Sequence, residues 1–254
     1  MPSISAVVPR LAARRSHSRA QRPLPAQLPA ACPAAAAPLD ALQRRLHGDA
    51  AKVQQGRLHP WCASFLQQSV DQPPRAMVLL LHGFTAGPWQ YFSLSQRLCR
   101  GGVDVYAPRL PGHGRLQHGE PAPHKMPGIE RQDRYRAWAE EVYQEAKAYS
   151  QARGLPLRLM GFSLGGGLAA DLAGAHPHGI STMVAAAPFL RPKPLKGRLG
   201  FAAARLAQRV DCGRSLLCRR DFAWVSDLPD FLPRPLPGYW RFPLSKMYGC
   251  LDYN

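Results

Sequence analysis

The chain has 254 residues, of which 46% are hydrophobic and 19% charged. That suits one globular domain of ordinary size and excludes both a disulfide-stapled miniprotein and a wholly disordered chain. Lys and Arg number 33 against 16 Asp and Glu, a formal charge of +17, and the excess sits at the ends: +7 over residues 1–75, +3 over 76–190 and +7 over 191–254.

From Met1 to Leu39 there is no acidic residue, and Arg10, Arg14, Arg15, Arg19 and Arg22 are interleaved with Ser, Ala and Pro. This is the composition of an organelle transit peptide and points to a plastid or mitochondrion, with a cytoplasmic protein carrying a tail of no address as the alternative. No apolar core of a secretory signal follows the early charges. The prolines from Pro23 to Pro38 interrupt any regular helix, so residues 1–55 read as a disordered basic extension, with order beginning near Cys62. No aromatic residues are interleaved with these arginines, so no nucleic-acid partner is expected, while peripheral contact with an anionic membrane or lipid stays open.

Residues 62–69 read as an edge strand and Asp71–Pro74 as a turn. The run Met77-Val-Leu-Leu-Leu81 is far short of the roughly 18–20 residues that span a bilayer, and with its neighbours it has the pattern of a strand buried on both faces. An amphipathic stretch from Pro88 to Leu98 is closed by Gly101-Gly102, and Val103–Tyr106 reads as a second buried strand. Tyr135, Trp138, Val142 and Tyr149 recur at helical spacing, with Glu140, Glu141 and Glu145 between them, as a core-facing stripe with a polar back. Leu157–Met160 is a third strand, Leu164–Ala175 a helix and Ser181–Ala187 a fourth strand. Strands alternating with helices over 76–187 predict an α/β fold with a doubly wound, mostly parallel sheet. The six cysteines show no CxxC pair and no Cys/His cluster at zinc spacing, and Gly165-Gly-Gly lacks the Lys and Ser/Thr of a phosphate loop. Neither a metal nor a cofactor is therefore implied, and the thiols read as mostly free.

Gly161-Phe162-Ser163-Leu164-Gly165 lies between a strand and a helix, the setting in which G-x-S-x-G forms a nucleophile elbow. A serine in so tight a turn projects its hydroxyl above the sheet, and small neighbours let the backbone pass beside it. His82-Gly83-Phe84-Thr85 ends the earlier buried strand, where a second backbone amide of an oxyanion hole is supplied. The expected site is Ser163 as nucleophile with the amides of Phe84 and Leu164 as oxyanion donors. His82 reads as a residue that shapes the loop.

On these segments, LLLHGFTAGPWQYF, VDVYAPRLPGHG and LMGFSLGGGLAADLA, the chain resembles the serine aminopeptidase type of α/β-hydrolase, a group of carboxylesterases, lysophospholipases and monoacylglycerol lipases. The resemblance covers about Gly56 to Leu190. It implies an α/β-hydrolase core over 56–190, acyl-ester chemistry on a small-molecule substrate, and a lid-like segment over 191–254. There Phe222, Trp224, Tyr239 and Trp240 either line an acyl pocket or pack the lid.

One part of the pattern is missing. A serine needs a base to take its proton, and the fold delivers an acid and then a histidine downstream of the elbow. After Ser163 the only histidines are His176 and His178, about 18 Å along the following helix at 1.5 Å per residue. The later acids Asp211, Asp221, Asp227, Asp230 and Asp252 fall in the lid-like region or at the terminus, with no further buried strand to present one. Three expectations fit: a chain truncated before its last strands, a natural short form without catalysis, or a stand-in base among His82, His113, His118 and His124.

Overall fold

The computed structural model describes residues 36–121 and 133–188. In chain order these form helix α1 (Ala36–Gln54), strand β1 (Phe65–Gln67), β2 (Ala76–Leu81), α2 (Phe92–Arg100), β3 (Val103–Ala107), the short pair β4 (Leu116–Gln117) and β5 (Glu120–Pro121), α3 (Asp133–Ala152), β6 (Leu157–Phe162), α4 (Leu164–Ala175) and β7 (Thr182–Ala186). Five strands make one sheet in the order β1-β3-β2-β6-β7. Only β1 runs antiparallel, with Leu66 opposite Tyr106. The pairs β2–β3, β2–β6 and β6–β7 are parallel, registered at Val78–Val105, Leu79–Leu159 and Met160–Val184.

The continuous apolar run of β2 has a simple cause, because its two sets of alternating side chains both face protein. Met77, Leu79 and Leu81 join Tyr106, Leu157 and Leu159 in a core under α1, α3 and α4. Ala76, Val78 and Leu80 join Val103, Val105 and Cys99 in a second core under α2. All six side chains of β2 are buried, as a parallel strand covered on both faces requires. The aromatic stripe of α3 faces the first core as expected, with Tyr135, Val142 and Tyr143 fully buried. The fourth strand expected over Ser181–Ala187 is present as β7 at the far side of the sheet, where it is less covered, and Met183 (38%) and Val184 (49%) are exposed. Neither Cys62 nor Cys99 is in a disulfide, and burial pushes both thiols up to about 12.

Helix α1 corrects the expectation of disorder through residue 55. Leu39, Leu42 and Leu46 fall on one stripe, with Leu42 wholly buried against α3. Pro38 falls in the first turn, where a missing N–H breaks no helical bond. The helix ends on Gly56 at φ +64°, with Arg57 N–H donating to Lys52 and Gly56 N–H to Val53, a glycine-terminated cap. Arg45 anchors the helix to α3 through Glu145 and Glu141. Among the described residues no helix is long and apolar enough to cross a membrane. Residues 1–35 and 189–254, and with them the transit and lid readings, lie outside the described residues.

Candidate active site

The chain leaves β2 toward α2 on one face of the sheet and leaves β6 toward α4 on the other. Since β2 and β6 are neighbours, their carboxyl ends open onto a topological switch point, the place where open α/β sheets bind ligands. Ser163 stands at that point, directly after β6, with φ 54° and ψ −118°. For a residue with a Cβ this lies outside the ordinary allowed regions. Three hydrogen bonds hold it there: its N–H donates to the Ala186 carbonyl of β7 at 3.0 Å, and its carbonyl accepts from Gly166 at 2.9 Å and Gly167 at 3.1 Å.

The glycines of the motif are dictated by backbone approach. A Cβ on Gly161 would sit 1.9 Å from the Gly165 carbonyl oxygen, and one on Gly165 would sit 2.0 Å from the Leu81 carbonyl oxygen. Helix α4 is thus pressed onto the ends of β6 and β2 closely enough to leave room for hydrogen alone. Leu164 is the first residue of α4, so its amide has no carbonyl one turn back to bind.

The second loop passes beside the serine. A Cβ on Gly83 would lie 3.5 Å from Ser163 Cβ and 3.2 Å from Phe162 Cδ1. Its geometry is fixed from several sides. Gln90 Oε1 accepts from Gly83 N–H at 3.0 Å, and the Tyr91 hydroxyl donates to the Leu81 carbonyl at 2.7 Å. His82 is wholly buried: Leu110 N–H donates to its Nε2 at 3.0 Å, which leaves the proton on Nδ1, and Nδ1–H donates to the Gly83 carbonyl at 2.8 Å. The His82 ring therefore shapes the loop, as its sequence position suggested. Burial, with His113 nearby, holds it well below the usual imidazole range.

His113, also fully buried, places Nε2 2.6 Å from the Phe84 carbonyl and Nδ1 3.0 Å from the Pro111 carbonyl. Two carbonyl neighbours favour the charged ring, but burial outweighs them and pushes it down to about 4. Neither His82 nor His113 has a ring nitrogen left for the Ser163 hydroxyl. His176 caps the far end of α4 and bonds Glu140 at 2.8 Å. His118 sits exposed at the tip of the β4–β5 turn at φ 53°, and His124 lies outside the described residues. The structure thus brings Ser163, Leu164 and the Phe84 loop together and gives the buried histidines to the backbone. The sequence did not single out His113 or Arg109 as loop supports; their only local signal is the tight Pro-Gly-His-Gly turn.

A cavity of about 850 Å³ lies elsewhere, between α1 and α3, and is lined by charged side chains including Arg44, Asp49, Arg109 and Glu141. It contains no elbow residue, and every buried charge in it is paired, so its size marks a gap between helices and not the site of chemistry.

A serine held in a forbidden backbone corner at the switch point, with a glycine loop beside it, defines the α/β-hydrolase class. The family profile described as serine aminopeptidase, S33, matches residues 72–233, and the chain belongs to that family. Over 110 residues it is 34% identical to the pimeloyl-[acyl-carrier protein] methyl ester esterase of Aromatoleum aromaticum, covering 43% of this chain and 36% of that protein. In structure it resembles a soluble variant of monoglyceride lipase from Saccharomyces cerevisiae, with a TM-score of 0.53 at 19% identity over 75% of this chain and 63% of the lipase. A metagenome-derived lipolytic enzyme gives 0.50 at 20% identity, over 78% and 69% of the two chains. These structural likenesses speak for the fold. The chain spans about a third of the curated relative it matches.

Proposed function

We propose that this protein is a serine hydrolase that cleaves a small carboxylic ester with a lipid-like acyl group, through an acyl-enzyme at Ser163. The observation that carries the reading is the Ser163 backbone, forced to positive φ beside the Gly83–Phe84 loop. In this reading the Ser163 hydroxyl attacks the ester carbonyl while the Phe84 and Leu164 amides receive the charge that builds on the carbonyl oxygen. The intermediate collapses with loss of the alcohol, and water then frees the acid from Ser163. Removing one such amide typically costs about 2.7–4 kcal/mol of transition-state stabilisation. The ester named in the description of the Aromatoleum relative supports a carboxylic ester as the substrate class. The acid-free, arginine-rich segment before Leu39 supports delivery to a plastid or mitochondrion.

A second reading has its own observation. His82 and His113 are committed to backbone carbonyls and His176 to Glu140, so none of these takes the serine proton. In that reading the cleft holds an acyl ligand without turnover. Hydrolysis of p-nitrophenyl butyrate and decanoate by the full chain separates the two. Turnover lost in Ser163→Ala supports the enzyme. Turnover unchanged in Ser163→Ala refutes the Ser163 assignment, and binding of decanoate without turnover by the wild type favours the second reading.

A further inference from the structure

Helix α1 precedes the region matched by the family profile, which begins at residue 72, yet it sends a buried carboxylate to Arg109, in the segment after β3. Asp49 is 1% exposed. Its two oxygens accept from Arg109, at 3.1 Å from Nε and 2.6 Å from Nη2. The Ser64 hydroxyl and amide donate to Asp49 at 2.8 and 3.1 Å, and Lys52 at 3.1 Å. Burial alone would raise this carboxyl, but Arg109 and Ser64 overcome it and bring it down to about 2.

Arg109 passes the constraint on. Its Nη1 donates to the His113 carbonyl at 3.0 Å and its backbone N–H to Ser64 Oγ at 2.9 Å. The segment that begins at Arg109 then supplies both clamps on the loop beside Ser163. Leu110 N–H fixes the His82 ring, which holds the Gly83 carbonyl, and the His113 ring holds the Phe84 carbonyl. A trans peptide is planar, with its C=O and N–H pointing opposite ways. Fastening the Gly83 carbonyl on one side therefore aims the Phe84 amide to the other, and fastening the Phe84 carbonyl fixes the next peptide.

We propose that Asp49 is a positioning residue for the hydrolytic site: from a helix outside the matched family region it locks Arg109 and, through the His82 and His113 bonds, sets the direction of the Phe84 amide beside Ser163. The catalytic consequence rests on the oxyanion role proposed above, while the mechanical link does not. A fork of two parallel bonds suits this task because it fixes the guanidinium plane, which a single-point cation cannot do.

The test uses the full chain as wild type, Asp49→Asn and Arg109→Lys, read by amide hydrogen exchange and by ester kinetics. In both variants, exchange over residues 82–88 is expected to quicken about tenfold while residues 164–172 keep their wild-type protection, since only the loop is released. kcat for p-nitrophenyl butyrate is expected to fall about tenfold with KM within about twofold, because a misaimed donor weakens the transition state more than substrate binding. Asp49→Glu, which keeps the charge, should recover part of both effects. Unchanged exchange over 82–88, or equal loosening of 82–88 and 164–172, overturns the proposal. If Asp49→Asn does not fold, Arg109→Lys, which leaves Asp49 opposite a cation, decides it. A wild type without ester turnover refutes the hydrolase reading alone, and the exchange pattern still decides the brace.

Discussion

Replacing Ser163 by glycine should make the protein more stable while removing its proposed nucleophile. Ser163 holds φ 54° and ψ −118°, a conformation that costs a residue with a Cβ about 1–3 kcal/mol and glycine almost nothing. Glycine brings a penalty of its own, since its unfolded chain has about 0.5–1 kcal/mol more entropy to lose. Taking about 2 kcal/mol of relieved strain against that penalty leaves a net gain of about 1 kcal/mol, or about 2–4 °C in melting temperature for a domain of this size. The hydroxyl does not enter this balance, because the bonds that hold residue 163 run through its backbone N–H and carbonyl. Ser163→Ala is the matched control: it deletes the hydroxyl and keeps the Cβ in the strained corner, so its melting point should stay below that of Ser163→Gly. Calorimetric melts of the three full chains at one pH supply the comparison. A Ser163→Gly protein that melts at or below Ser163→Ala would show that the corner stores no strain, and the elbow argument would fail with it.

Gly165→Ala should cost about 3 kcal/mol or more in denaturant melts, because the added methyl meets the Leu81 carbonyl oxygen at 2.0 Å and backbone has little room to yield; a wild-type midpoint would contradict the close approach of α4 to β2. Leu42→Ala in α1 should cost about 2–5 kcal/mol, since Leu42 is wholly buried, whereas a change below about 0.5 kcal/mol would mean that α1 is not part of the core. Acid should weaken the fold early. His113 is pushed down to about 4 by burial and His82 is also lowered, so the unfolded chain takes up these protons first. The stability they carry is complete above about pH 6.5 and is lost as pH falls toward 4, at about 1.4 kcal/mol per unit for each ring. Urea midpoints at several pH values between 7.5 and 4.5 measure it. A flat profile would contradict burial of the two neutral rings, and His113→Gln should reduce the slope.

The parts of the fold that were legible in the sequence are those dictated by neighbours along the chain. The apolar run of β2 reports two covered faces, the aromatic spacing of α3 reports its core stripe, and Gly161-Phe-Ser-Leu-Gly165 reports a corner in which only hydrogen fits at the first and last positions. Helix α1 was hidden because its three-leucine stripe sits in a stretch whose alanines and prolines look unfoldable. Its cap at Gly56 was the signal that could have revealed it. The buried charges were hidden for a different reason. Glu145 looks like part of the polar back of α3, but it is 3% exposed, bonded to the Tyr106 hydroxyl at 2.5 Å and to Arg45. Its partner Arg45 lies 100 positions away and the Asp49–Arg109 pair spans 60. No local pattern carries such pairings, which exist only once α1 has docked on α3 and on the segment after β3. The same holds for the Gly83–Phe84 loop: its His-Gly-Phe sequence was readable, but the ring that holds the Phe84 carbonyl comes from another loop.

The most direct test of the account is the site of covalent labelling by a fluorophosphonate probe, mapped by peptide mass spectrometry on the full chain. A single phosphonylated residue, Ser163, is expected, with no label on a folded Ser163→Ala protein. A folded wild type that stays unlabelled, or one labelled at another serine while Ser163 remains intact, would contradict it.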